Sequence, residues 1–140
     1  MAYLLNGYEH FITEAATYQQ IPREILKRVL AKEGCRNGGA LRNKDGSTDY
    51  GVGCINSKWE PHFRRQGVPM ELIKSNPRIS IHAAAYILRY QYQRYGEWFK
   101  SVMAYHTGSV GTPGSSRYAR GWYYAFDALT RDRSLTASPG

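Results

Sequence analysis

Glu33 closes an apolar helical stretch and is followed at once by Gly34, Cys35 and a long polar loop. Setting Ile25 at zero and advancing about 100° per residue puts Val29 at about 40°, Leu26 at about 100°, Leu30 at about 140° and Glu33 at about 80°. The carboxylate therefore lies in the middle of the apolar stripe. Burial there disfavours the charged form, and the negative end of the helix dipole does the same. Both push toward a protonated Glu near neutral pH, the state a general acid needs. The alternative is a Glu that turns out to solvent or pairs with Lys32 or Arg36.

The elements that must position this acid read as helices. Tyr8, Phe11, Ile12, Ala15 and Tyr18 form one stripe, and Pro22 opens the helix that carries Glu33 and stops at Gly34. Residues 34 to 50 hold Gly, Asn, Asp and Ser and read as a loop, with "NKDGS" a turn. Short helices are expected over Pro61–Gln66 and Pro69–Lys74. The longest is expected over Ser80–Tyr95, where Ile81, Ala84, Ala85, Leu88 and Tyr92 recur at helical spacing. Further helices follow over Glu97–Tyr105 and Arg117–Leu129, separated by "TGSVGTPGSS", and the tail after about Arg131 reads as flexible. Strand signals are nearly absent; "YGVGCIN" supplies at most a short extended turn. The 140 residues carry no repeat and no linker, which predicts one mainly α domain.

Composition narrows the function classes. No apolar run is long enough to span a bilayer, and "MAYLLNGYEH" lacks the basic region and apolar length of a secretory signal. Export by another route, or a mature form with a start Met added, would account for that. His10, His62, His82 and His106 do not complete a metal set with the two cysteines, so neither metal nor cofactor is expected. The net charge of +8 and pI near 9.6 suit an acidic partner. The basic residues are spread thinly, however, as on an ordinary solvated surface. Twelve Tyr and three Trp suit both half-buried packing and stacking on sugar rings.

Asp49-Tyr50-Gly51-Val52-Gly53-Cys54-Ile55-Asn56-Ser57 follows the loop, and Ala104-Tyr105-His106-Thr107-Gly108-Ser109 ends a later helix. In these motifs the chain resembles the soluble lytic transglycosylase domain, which has the lysozyme-like fold and cleaves peptidoglycan glycan strands. That family carries a Glu-Ser pair, a loop ending Gly-Leu-Met-Gln-Ile-Asn, then Ala-Tyr-Asn-Ala-Gly and a later Tyr. Glu33, the Gly51 to Asn56 turn, the Ala104 to Gly108 stretch and Tyr118 correspond in order, over about residues 20 to 125. Within that family the chain looks like the small specialised transglycosylases of conjugation, secretion and pilus machines, or of phage particles.

The resemblance implies that Glu33 is the single acid and base. It would protonate the bond between N-acetylmuramic acid and N-acetylglucosamine, then deprotonate the sugar's own 6-hydroxyl to close a 1,6-anhydro ring. It also implies that Tyr105 and Tyr118 orient substrate or Glu33, and that His106, Asn56 and the Gly51 to Ile55 backbone contact the glycan. Action would fall in the periplasm, the cell envelope or a phage particle, with subunits of an envelope-spanning secretion or phage assembly as further partners. Three motif positions depart: Gly34 stands for the family Ser, Cys54 for the Gln and His106 for the Asn. If the fold holds, Cys35 and Cys54 face each other, and a disulfide would tie the loop to the catalytic helix; two buried thiols are the alternative. Rival functions are a lysozyme-type hydrolase using Asp49 or Asp45 as second carboxylate, an inactive wall-binding relative, and a scaffold part of an envelope machine. More remote is a nucleic-acid-binding module suggested by "RYQYQRYGEW"; its Tyr face reads better as helix packing, so no nucleic acid is expected.

Overall fold

The computed structural model describes Leu5 and residues 7–131; the tail expected to be flexible lies outside them, apart from Arg131. Seven α-helices among these residues surround one core: α1 (Glu9–Gln19), α2 (Arg23–Glu33), α3 (Glu60–Arg65), α4 (Met70–Ser75), α5 (Pro77–Tyr95), α6 (Trp98–Thr107) and α7 (Ser116–Thr130). α5 is the central element, with α1, α4 and α6 packed on it and α7 laid against α6 and α2. Its core side is small and aliphatic. Ile81, Ala84, Ala85 and Leu88 are fully buried against Ile12, Leu26, Val29 and Met103, and each large aliphatic side chain so buried contributes about 1.5–3 kcal/mol.

Local chemistry sets the helix limits. α5 begins at Pro77, three residues before the periodicity suggests, because Pro suits the first helical position and Asn76 caps the helix by accepting from the Ile79 N–H at 3.1 Å. α2 stops where expected: Gly34 is left-handed, with φ 63°, and its N–H reaches the Leu30 carbonyl. Ser115 caps α7 by accepting from the Tyr118 N–H at 3.1 Å.

The region read as a loop contains a small antiparallel sheet in the order β1 (Ala40–Arg42), β2 (Thr48–Tyr50), β3 (Ile55–Asn56). Ala40 pairs with Tyr50, and Tyr50 in turn with Ile55. The extended-turn expectation covered β3 and the end of β2 and missed the β1–β2 hairpin. Its strands are three residues long and lack a buried apolar face, so they carry no period-two signal. The sheet is held instead by polar side chains around Ser47: Asp45 Oδ1 accepts from the Ser47 N–H and hydroxyl at 2.9 and 2.6 Å, and Asn56 Nδ2 donates to Ser47 Oγ at 3.0 Å.

Candidate active site

Glu33 is carried by the last residue of α2, and its carboxylate enters a cleft of about 690 Å³ between the small sheet, α5, the end of α6 and the start of α7. Neither alternative partner holds it: Lys32 turns to Asp127 on α7 at 2.7 Å. The Tyr124 hydroxyl donates to Glu33 Oε2. Burial raises the Glu33 pKa above the ordinary carboxylate value of 4.5 and the nearby Asp49 charge adds to this, while the Tyr124 bond and Lys32 pull the other way. The acid is thus half-buried, its pKa is raised, and its carboxylate accepts from the Tyr124 hydroxyl.

Tyr124 is itself fixed. His106 lies flat on its ring, with centroids 4.2 Å apart and planes 2° apart, and the Lys32 ammonium sits 5.1 Å from the ring centre. His106 leaves one edge open to solvent. The cover over its face, with the Lys32 and Arg120 charges, lowers its pKa from 6.5, so the ring is neutral at pH 7.

The adjoining wall comes from the Gly51 to Asn56 turn, through Cys54, Ile55 and Asn56. Ser80 Oγ accepts from the Gly53 N–H at 2.9 Å, and the Tyr105 hydroxyl donates to the Gly53 carbonyl at 2.7 Å. Burial holds the Tyr105 phenol well above its usual pKa, so it stays a donor. Cys54 has φ 52° and is joined to Cys35 as a disulfide, with Cα atoms 5.6 Å apart, inside the range such a bond needs. Gly51, φ 70°, is required by the backbone: a Cβ there would stand 2.3 Å from the Ile73 carbonyl oxygen.

Glu33, Cys54, Ile55, Asn56, Asp45, Asp49, Tyr105 and His106 all line the cleft; Gly51 and Tyr118 do not. Gly51 faces α4 and Ser80, and Tyr118 packs half-buried against the core. The aromatic that touches Glu33 is Tyr124, and Tyr105 is engaged with the turn. The clue to Tyr124 was the spacing of Gly121, Tyr124, Ala125 and Ala128, the buried stripe of α7. Asp49 accepts from Asn56 Nδ2 at 2.9 Å. Asp45 holds Ser47 and Lys58, contacts that lower its pKa well below the usual range.

Residues 10–121 match the family model described as the Transglycosylase SLT domain. The chain belongs to this family. Over 97 residues it is 34% identical to Protein IpgF of Shigella flexneri, an alignment covering 69% of this chain and 64% of that protein. Over 90 residues it is 32% identical to Invasion protein IagB of Salmonella typhimurium (strain SL1344), covering 64% of this chain and 56% of that protein. The chain thus spans less than two thirds of the length of these curated relatives. Within this SLT domain the three departures have structural settings. Gly34 is the left-handed cap of α2, Cys54 is a disulfide partner, and His106 is the neutral ring on Tyr124. Tyr124 lies just past the matched stretch.

Proposed function

We propose that this protein is a peptidoglycan lytic transglycosylase in which Glu33 works alone as acid and base. The observation that carries the reading is a desolvated Glu33 with a raised pKa, set in an open cleft and bonded to the Tyr124 hydroxyl. Protonated Glu33 gives its proton to the oxygen linking N-acetylmuramic acid to N-acetylglucosamine as the C1–O bond breaks. The carboxylate left behind is stabilised by the Tyr124 O–H, a charge-assisted bond stronger than the neutral one before it. It then takes the proton of the muramic 6-hydroxyl as that oxygen bonds to C1. Glu33 returns to its starting state, with a 1,6-anhydro end on one product and a free 4-hydroxyl on the other. No water and no second carboxylate enter.

A muramidase that hydrolyses the same bond is the second reading, favoured by Asp49, which lines the cleft and whose charge is felt at Glu33. Against it, Asp49 is turned to Asn56 and Asp45 is committed to the β1–β2 turn. Mass analysis of digested peptidoglycan separates the two. Anhydro-muramic ends are expected; reducing ends would replace the transglycosylase by the hydrolase, and undigested glycan would leave a wall-binding protein.

This substrate puts the protein's work in the cell envelope or a phage particle. One relative is named an invasion protein; by likeness, we extend the reading to subunits of an envelope-spanning assembly as partners.

A further inference from the structure

One end of the cleft is built of guanidinium groups that the glycan chemistry does not use. Arg94 comes from the last turn of α5, and Arg117 and Arg120 come from the start of α7; all three line the cleft. Each is held through one nitrogen. Arg94 Nη1 donates to the Gly108 carbonyl and to Gln91 Oε1, both at 3.1 Å. Arg117 Nη1 donates to Ser109 Oγ at 2.8 Å, and Arg120 Nη1 to Ser116 Oγ at 3.3 Å. Arg94 also rests on the Tyr95 ring, 4.9 Å from its centre. Among the described residues none of the three meets a carboxylate; Arg23, Arg36, Arg42, Arg65 and Arg89 do not either, but none of those five lines the cleft.

The placement is locally unfavourable. The first turn of α7 carries Arg117 and no acid, where the positive end of the helix dipole repels a cation. Arg120 follows one turn later, close enough for its charge to bear on His106, which stacks on the tyrosine that holds Glu33. Three oriented guanidiniums, each keeping free N–H donors and all without an anionic partner, form a receptor for carboxylates.

We infer that the Arg94, Arg117 and Arg120 edge binds the carboxylates of the stem peptide carried by the muramic acid being cleaved. This makes the enzyme selective for peptide-bearing over charge-neutralised strands. The inference rests on the peptidoglycan reading above and names the part of the substrate that reading leaves open. The bare glycan backbone offers hydroxyls and acetamides, which do not match such a charge set. The stem peptide leaves the lactyl group beside the scissile bond and ends in carboxylates.

The test is a binding measurement in the Glu33→Gln background, which separates it from catalysis. Co-sedimentation gives the Kd for native sacculi and for sacculi whose peptide carboxyls have been amidated with carbodiimide and ammonia. Amidation should weaken binding about tenfold, as three exposed ion pairs of ordinary strength would together supply. Adding Arg94→Gln, Arg117→Gln and Arg120→Gln should cost about tenfold on native sacculi and abolish the effect of amidation. A control of equal charge change, Arg36→Gln, Arg64→Gln and Arg65→Gln, lies off the cleft and should keep that effect. Thermal melts check that each variant is folded; the Arg117→Gln, Arg120→Gln pair replaces the triple if it is not. Continued discrimination by the arginine variant, equal loss in the control, or no discrimination by the starting protein overturns the inference. Failure of the transglycosylase reading shows separately, as parent protein that releases no anhydro-muropeptides.

Discussion

At the scale of single residues, the role proposed for Glu33 sets stability against function. Its folded pKa is raised, so between 4.5 and that higher value the native state binds more protons than the unfolded chain. Stability then falls as pH rises through this window. Glu33→Gln removes the penalty while its carbonyl can still accept from Tyr124. The variant should melt higher than the parent at neutral pH, with the gap closing as pH falls toward 4.5, and should lose at least about a thousandfold in lytic rate. Calorimetry across pH and a turbidity assay check both; parent-like lysis would displace Glu33 from its role. Tyr124→Phe tests the hydroxyl alone, because the ring and its stack on His106 remain. Since the Tyr124 bond lowers the Glu33 pKa, losing it should move the alkaline limb of the rate profile to higher pH, with kcat down about 10- to 100-fold. An unmoved limb would mean the bond does not act on Glu33. Glu33 was legible because a lone acid on an apolar stripe is a contradiction visible at 3.6-residue spacing. Tyr124 was not, because α7 also carries Tyr118, Trp122, Tyr123 and Phe126 and motif order pointed to Tyr118. Only packing tells these rings apart.

At the scale of elements, the helices could be read from periodicity and caps, and the sheet could not. Its strands are too short and too exposed to alternate, and their pairing is directed by Asp45, Ser47, Asp49 and Asn56, whose partners lie up to nine residues apart. The cleft turn was legible as a motif, but its clamp was not: Ser80 and Tyr105 arrive from α5 and α6. The turn tolerates no added bulk. Gly51→Ala would meet the Ile73 carbonyl oxygen at 2.3 Å in a left-handed conformation, and overpacking and strain together should cost more than about 2 kcal/mol. Gly46→Ala has open space at a φ of 91°, also positive, and should cost about 1 kcal/mol, from strain alone. Chemical denaturation of the pair checks the order; equal costs would show that the turn can shift away from α4.

At the scale of the whole molecule, helices from both ends of the described chain converge on the site. α2 supplies the acid, and α7, some ninety residues later, supplies its donor. Lys32 to Asp127 and the Arg28 contact to the Arg131 carbonyl tie the two helices beside it. The Cys35–Cys54 bond spans 19 residues and encloses the β1–β2 hairpin, a closure of a size that stabilises by about 3 kcal/mol. Reduction should free the wall beside Glu33 before the α1–α5–α6 core loosens. We expect about tenfold lower kcat in dithiothreitol, recovery on reoxidation, and a Cys35→Ser, Cys54→Ser protein fixed at the low level; equal rates in both redox states would refute this. If the protein cuts the wall as proposed, this fastening would act as a safety catch. On that reading, chains whose Cys35 and Cys54 are still reduced should cut about tenfold more slowly, and should reach full rate only after an oxidant has acted on them. Lysis on overproduction would then track the supply of oxidant rather than the amount of protein.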